Sequence, residues 1–234
     1  MLTFLIVFIA IFTQTVTGFG LALVSMPLLV HVVGIQTAAP LVTIVGGVAE
    51  LILLLRYHAD LNLWAVTRLT AASILGVPVG IVLLRRVDEG VVTAVLGILV
   101  IGFALYALFG ARLPALNRSA WAYGFGFFAG ILGGAYNTSG PPVIIYGNCR
   151  RWPPAEFKSN LQGFFLVNSA IVLISHALGG SFTPVVWRQA LIALPAILLA
   201  VPLGSRLDRI LNPHRFRRIV LFALLGLGAS LLLG

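Results

Sequence analysis

Charged residues are scarce in this chain of 234 residues, at 9% of the total, whereas soluble domains carry about a quarter. Runs without any charge recur along the chain, and the longest covers residues 1–49. Several of them exceed the roughly 20 residues that a helix needs to cross the hydrocarbon core of a bilayer. Because lipid offers no partner to an exposed backbone amide, such spans must be helical. The sequence therefore predicts an all-α polytopic membrane protein with a single membrane domain over residues 1–234.

Cysteine is limited to Cys149, which excludes an intrachain disulfide and a thiolate metal cluster. The four histidines are scattered and no two stand four residues apart, so no metal site is predicted. No G-x-x-x-x-G-K-[ST] motif occurs, and neither ATP nor another cofactor is expected. The formal net charge of +9 comes from arginines beside apolar segments, where the positive-inside rule places them. A nucleic-acid partner is therefore not predicted.

Eight apolar segments are predicted, and the first and fifth of them are interrupted by turn-forming residues. The segments are Leu2–Val33, Thr37–Leu55, Leu69–Leu84, Val91–Gly110, Ala120–Gly147, Ser159–Leu178, Trp187–Gly204 and Ile219–Leu233. The first contains QTVTGFG and the fifth contains GGAYNTSGPP, and such Gly- and Pro-rich stretches are typical of turns. As one helix, the first segment would extend about 48 Å, far beyond the hydrocarbon core. Each interrupted segment is therefore predicted to be a broken or re-entrant helix.

The two halves of the chain follow the same order of segments, which predicts two four-element repeats over residues 1–111 and 119–234. Faint sequence similarity supports this interpretation. GVPVGIVLLRR (76–86) aligns with AVPLGSRLDRI (200–210), which places Arg85 on Arg209, and Gly18–Pro27 aligns with Gly133–Pro142. Duplicated segments interrupted at corresponding places are a feature of secondary transporters and point to the binding site.

The charge of the loops favours inverted repeats, while parallel repeats stay open. If the interrupted segments are re-entrant hairpins, twelve of the fifteen Lys and Arg residues lie on one side of the membrane and three on the other. If each interrupted segment crosses once, the split is ten to five. The hairpin arrangement gives the stronger bias, and it makes the two halves inverted. Both arrangements place the two termini outside.

Several motifs together resemble a known family. They are TGFGLALVSMPLL near the amino terminus, GGAYNTSGPPVIIYG in the second half, a tryptophan-containing loop after the second segment, and VPxG followed by Arg in each half. This pattern resembles the TauE/SafE family of bacterial sulfite and organosulfonate exporters, in the group of toluene-sulfonate-uptake permeases. The resemblance covers nearly the whole chain. It implies a multi-pass transporter of the inner (plasma) membrane, not an enzyme, that exports a small sulfur-containing or carboxylate anion with an ion gradient.

The residues at the two interruptions also suit an anion. Amides of a helix that restarts after a break carry a partial positive charge, and unwound backbone at membrane depth is tolerated where it lines a cavity. The sequence thus predicts an anion site of amides and hydroxyls without buried Lys or Arg. Its predicted residues are Gln14, Thr15, Thr17, Gly18, Gly20, Ser25 and Pro27 from the first half, with Gly133, Gly134, Asn137, Thr138, Ser139, Gly140, Pro141, Pro142 and Asn168 from the second.

Other residues have two interpretations each. Glu50 is the acid within a span, and it is either an ion-coupling group or part of a structural ion pair with an arginine. The glycines at 126, 130, 134, 76 and 80 are predicted to serve close helix packing. Asn160 and Gln162 are predicted only to line an interface.

Two functions compete with anion transport. Ser139 and His176 would be the residues of an intramembrane serine hydrolase, and a non-transporting membrane scaffold is the other alternative. The expected partners are a small anion and the lipid bilayer, with a homodimer left open.

Overall fold

Ten α-helices and one short 3-10 turn make up the regular structure of the described residues, which are 1–110, 113–207 and 212–233 of the computed structural model. The helices are α1 (Leu2–Thr17), α2 (Leu21–Val33), α3 (Ile35–Tyr57), α4 (Leu63–Arg86), α5 (Glu89–Phe109), α6 (Trp121–Tyr136), α7 (Gly140–Cys149), α8 (Pro154–Leu178), α9 (Pro184–Leu207) and α10 (Pro213–Leu233). Six of them, α3, α4, α5, α8, α9 and α10, are long and apolar enough to cross a membrane.

Ten helices replace the eight predicted segments because the first and fifth segments each divide in two. The first divides at Gly18 and Gly20, whose φ angles are 83° and 115°. The fifth divides after Asn137, whose φ angle is 51°. A residue in the left-handed region commonly ends a helix. Both divisions fall within the turn-forming stretches that the sequence singles out.

The alignment of the two breaks is wrong by four residues. Gly18 ends α1, but the corresponding residue at the end of α6 is Asn137 and not Gly133. Asparagine is one of the few residues besides glycine that visit the left-handed region, so matching glycine to glycine misplaces the break. The predicted start of the third segment is also late, because Asn62 caps α4 by accepting from the Ala65 N–H at 3.1 Å. Arg209, which the alignment places on Arg85, lies outside the described residues.

Helices α6 and α7 form a hairpin. The Leu116 N–H, ahead of α6, donates to the Cys149 carbonyl at the end of α7 over 3.0 Å. The Arg150 guanidinium donates to the Leu116 carbonyl at 2.7 Å. Within the hairpin, the rings of Phe125 and Tyr146 are 5.5 Å apart. The chain therefore returns to the end of the bundle from which α6 starts.

Helices α1 and α2 turn back in the same way. The Thr3 hydroxyl donates to the Gln189 side chain near the start of α9 at 2.8 Å, whereas Thr15 packs on Gly204 near the end of α9. Helix α2 then runs back, so that His31 lies 3.2 Å from Ser230 near the end of α10. Only five residues separate α9 from α10, so the end of α10 lies on the same side as the start of α9.

Helix packing follows a two-fold pattern. Helix α6 packs along α4 as α1 packs along α9, and α8 packs on α4 as α3 packs on α9. The contacts of α3 with α8 and of α5 with α10 join corresponding helices of the two halves. The long helices thus have counterparts in the other half with the corresponding neighbours, whereas α2 packs more extensively on α10 than α7 packs on α5 among the described residues. The division into two repeats stays a prediction, and this pairing supports it.

The glycines at the α4–α6 contact confirm the packing prediction. They are Gly76 and Gly80 on α4 and Gly126, Gly130 and Gly134 on α6. A methyl group added at any of them would collide with the backbone of the opposite helix. The two helices therefore meet at backbone distance, as small residues allow in membrane bundles.

Candidate functional site

The two breaks meet around a cavity of about 30 Å³ within the bundle. Gln14, Phe19, Gly20, Leu21, Ala22 and Leu23 line it from the first break, Asn137, Thr138, Ser139 and Gly140 from the second, and Glu50 and Phe165 from α3 and α8. The cavity lies beside Gly46, at the middle of α3, where both Leu21 and the Asn137 amide approach. A volume of this size accommodates water.

The first break places backbone amides outside the helical ladder on residues that line this cavity. No side chain caps the start of α2, and the first bond of the helix runs from the Val24 N–H to the Gly20 carbonyl at 2.9 Å. The amides of Leu21, Ala22 and Leu23 therefore lie ahead of the helical ladder, on residues that line the cavity. Such amides carry the positive end of the helix dipole.

The second break contributes polar side chains. Pro141 and Pro142 occupy the first turn of α7, where a missing N–H costs nothing. The Thr138 hydroxyl donates to the Tyr136 carbonyl at 2.9 Å. Asn137 and Ser139 are buried, with 9% and 5% of their surface exposed, and both line the cavity. They are the two neutral polar side chains of this break that remain available to a ligand.

Gln162 on α8 connects to the first break and is missing from the predicted site. Its Nε2 donates to the Gly18 carbonyl at 2.9 Å, and its Oε1 accepts from Gln14 Nε2 at 3.4 Å. From the sequence, Gln162 is predicted only to line an interface. The signal that could have found it is a glutamine in a charge-free segment, since a buried side-chain amide needs hydrogen-bond partners.

Several predicted site residues do not line the cavity. The hydroxyls of Thr15, Thr17 and Ser25 donate to carbonyls of their own helices, at 2.7–2.8 Å. Asn168 lies against Gly133, and its Oδ1 is buried without a hydrogen-bond partner among the described residues. The others outside the lining are Gly18, Pro27, Gly133, Gly134, Pro141 and Pro142.

Glu50 faces the cavity from α3 and is 6% exposed. Its Oε2 is buried and has no hydrogen-bond partner within the part of the chain that the structure describes. Among the described residues, Glu50 forms no ion pair with an arginine. The structural ion pair, which is one of its two interpretations, is therefore not seen in the described part of the chain.

Comparison with known proteins identifies the family. A family model described as Sulfite exporter TauE/SafE matches residues 3–231. The chain belongs to the sulfite exporter TauE/SafE family. A relative from Cupriavidus necator, described as a probable sulfite/organosulfonate exporter TauE, is 32% identical over 94% of this chain and 88% of its own length. No solved structure matches the chain.

Membership of the TauE/SafE family confirms the resemblance and places the chain among membrane transporters, not enzymes. The positions of His176 and Ser139 also argue against the serine-hydrolase alternative. His176 Nδ1 lies 3.0 Å from the Ser181 hydroxyl, beyond the end of α8, whereas Ser139 lines the central cavity. His176 is not among the described residues of that cavity, so it is not the base of a Ser139 nucleophile.

Proposed function

We propose that this TauE/SafE family member exports sulfite or an organosulfonate and binds it between the two breaks. The observation that carries the proposal is the meeting of the α2 amides with Asn137 and Ser139 in one buried cavity. A sulfonate or sulfite group has three oxygens that accept hydrogen bonds, and helix amides with neutral donors are a common anion site. The described lining holds no Lys or Arg, so the anion is not trapped by a buried cation.

Efflux from proteoliposomes tests this function. Vesicles loaded with sulfite or methanesulfonate should lose the anion through the wild-type protein, and Ser139→Ala should lower the rate about tenfold, since a hydrogen bond to a charged group contributes ~1.5–3 kcal/mol. Ser175→Ala is the matched control, because the Ser175 hydroxyl donates to the Ile171 carbonyl of its own helix, outside the cavity. Absence of efflux for both anions would favour the scaffold alternative.

We propose further that Glu50 couples anion binding to protonation. Its carboxyl group lines the same cavity as the anion site, and two unit negative charges about 5 Å apart repel by ~3 kcal/mol at an effective dielectric constant of 20. The anion therefore binds best when Glu50 is neutral. By thermodynamic linkage, anion binding then favours the protonated carboxyl to the same extent.

The affinity for methanesulfonate should fall about tenfold or more as rising pH ionises Glu50, because the carboxylate repels the anion. Methanesulfonate keeps its own charge throughout this pH range, so the change reports on the protein. In Glu50→Gln, whose side chain stays neutral, the affinity should not vary with pH. A pH dependence that survives in Glu50→Gln would place the coupling elsewhere.

The same proposal places α1–α2 and α6–α7 as re-entrant hairpins of two inverted repeats in the plasma membrane. The Leu116–Cys149 and Thr3–Gln189 contacts support it, as does the division of the thirteen described Lys and Arg residues into ten and three between the two ends of the bundle. By the positive-inside rule, the end with ten faces the cytoplasm.

Cysteine labelling in a Cys149→Ala background tests this topology. Gln36 and Asn62 are both exposed and lie at opposite ends of α3. Gln36→Cys should react with an impermeant maleimide added outside, and Asn62→Cys should react after the membrane is opened. Reaction of both from the same side would contradict the hairpin arrangement.

A further inference from the structure

A second cavity, here called the basic vestibule, opens where α5 and α7 end and α10 begins. Its volume is about 790 Å³, and its lining includes Arg151, Arg215, Arg217 and Arg218 together with Trp152. No acidic side chain belongs to the lining within the described ranges. A cleft with low-dielectric walls and charge of one sign concentrates ions of the opposite sign. The vestibule therefore attracts anions.

Arg217 joins the vestibule to the central cavity. Its guanidinium carbon lies 5.4 Å from the centroid of the Phe19 ring, and its Nε is buried without a hydrogen-bond partner among the described residues. Phe19 is 3% exposed, packs edge-on against Phe103 with ring centroids 5.7 Å apart, and lines the central cavity. The Phe19 ring thus has the vestibule arginine on one side and the central cavity on another.

We propose that the basic vestibule is a second anion site, which captures an oxyanion and delivers it past Phe19 to the central cavity. This inference rests on the proposed function. Arginine binds oxyanions through paired N–H donors, and the buried, unpartnered Nε of Arg217 is such a donor. The vestibule lies at the end of the bundle that carries ten of the thirteen described Lys and Arg residues, which is the side from which an exporter takes its substrate.

The vestibule and the central cavity differ in the charge of their lining residues. The vestibule holds arginines and concentrates the anion, whereas the described lining of the central cavity holds amides, hydroxyls and one carboxyl group without a cation. An anion therefore passes from a strongly attractive site to a weaker one. This arrangement favours release after the central site opens to the opposite side.

Fluorescence quenching of Trp152 tests the capture step without any transport assay. In a protein whose other tryptophans (Trp64, Trp121 and Trp187) are replaced by phenylalanine, iodide should quench Trp152 at least threefold more strongly than in the Arg215→Gln/Arg218→Gln variant. Quenching by neutral acrylamide should be equal in both proteins, which controls for folding. Arg188→Gln removes an exposed charge from the opposite end of the bundle and should change neither. Equal iodide quenching in the double variant would overturn the proposal.

Lipid composition separates a soluble anion from a lipid phosphate, which has the same oxyanion chemistry. In nanodiscs, the ratio of iodide quenching of Trp152 between this single-tryptophan protein and the Arg215→Gln/Arg218→Gln variant should be the same with phosphatidylcholine alone as with added phosphatidylglycerol, because the surface potential of the lipid acts on both proteins alike. Loss of that ratio with phosphatidylglycerol would show that a lipid headgroup occupies the vestibule, and would overturn its role as a site for the exported anion.

Methanesulfonate efflux tests the delivery step. In the Arg215→Gln/Arg218→Gln variant, the KM for methanesulfonate should be about fivefold higher or more, with an unchanged maximal rate. Added salt should raise the KM of this variant less than it raises the KM of the wild type. An unchanged KM would refute delivery from the vestibule. If wild-type protein transports neither anion, the proposed function fails, while iodide quenching still decides whether the vestibule captures anions.

Discussion

Asn137→Gly is expected to keep the fold and to reduce anion transport by tenfold to a hundredfold. The backbone of Asn137 is left-handed, with φ at 51°, and glycine adopts this conformation without cost. The substitution therefore preserves the end of α6 while it removes the amide that faces the central cavity. A hydrogen bond to a charged group is worth ~1.5–3 kcal/mol, which corresponds to that loss of transport.

Comparison with Asn137→Ala separates the effect of losing the Asn137 side chain from the effect of straining its backbone. Alanine also removes the amide, but it pays roughly 1–2 kcal/mol for the left-handed conformation. Thermal unfolding should therefore be unchanged in Asn137→Gly and earlier in Asn137→Ala, while both variants lose methanesulfonate efflux. Efflux at the wild-type rate in Asn137→Gly would show that the residue only terminates the helix.

The second large effect is expected at the contact between α4 and α6. Gly130→Ala should lower the free energy of unfolding by about 2–3 kcal/mol, since overpacking a close contact costs ~1–3 kcal/mol. The added methyl group would lie 2.8 Å from the Ser73 Cα and closer still to the Ser73 carbonyl oxygen. Backbone cannot move aside as a flexible side chain can, so the two helices must separate.

Gly124→Ala is the matched control, because Gly124 lies on the same helix and an added methyl group meets nothing within 4 Å. Its free energy of unfolding should equal that of the wild type or exceed it by up to about 1 kcal/mol, since alanine is the better helix former. Circular dichroism during titration with a denaturing detergent measures both variants. Equal losses at the two positions would mean that the α4–α6 contact does not set the effect.

Both breaks could be predicted from the sequence because the residues that cause them are adjacent in the chain. GGAYNTSGPP and TVTGFG place glycine, asparagine and proline inside apolar runs, and such residues end helices wherever they stand. The register between the two halves was wrong because Asn137 performs the role that Gly18 has in the first half. Both glycine and asparagine adopt the left-handed conformation that ends a helix. Matching identical residues therefore does not determine how the two halves align.

The composition of the site was harder to predict because it depends on long-range contacts and on backbone. Leu21, Ala22 and Leu23 line the cavity, and it is their amides that can serve an anion, so their apolar side chains gave no signal. Gln162 reaches Gly18 across 144 positions of sequence. The basic vestibule likewise brings Arg151, which follows α7, to the same cavity as Arg217 on α10. None of these contacts follows from periodicity or from a short motif.

Equilibrium titration of methanesulfonate into purified protein tests directly whether the two breaks hold the transported anion. We expect saturable binding to the wild type and to Ser175→Ala. We expect loss of that binding in Asn137→Gly combined with Ser139→Ala, because both residues line the cavity. Binding of wild-type affinity by a folded double variant would show that the breaks do not hold the anion.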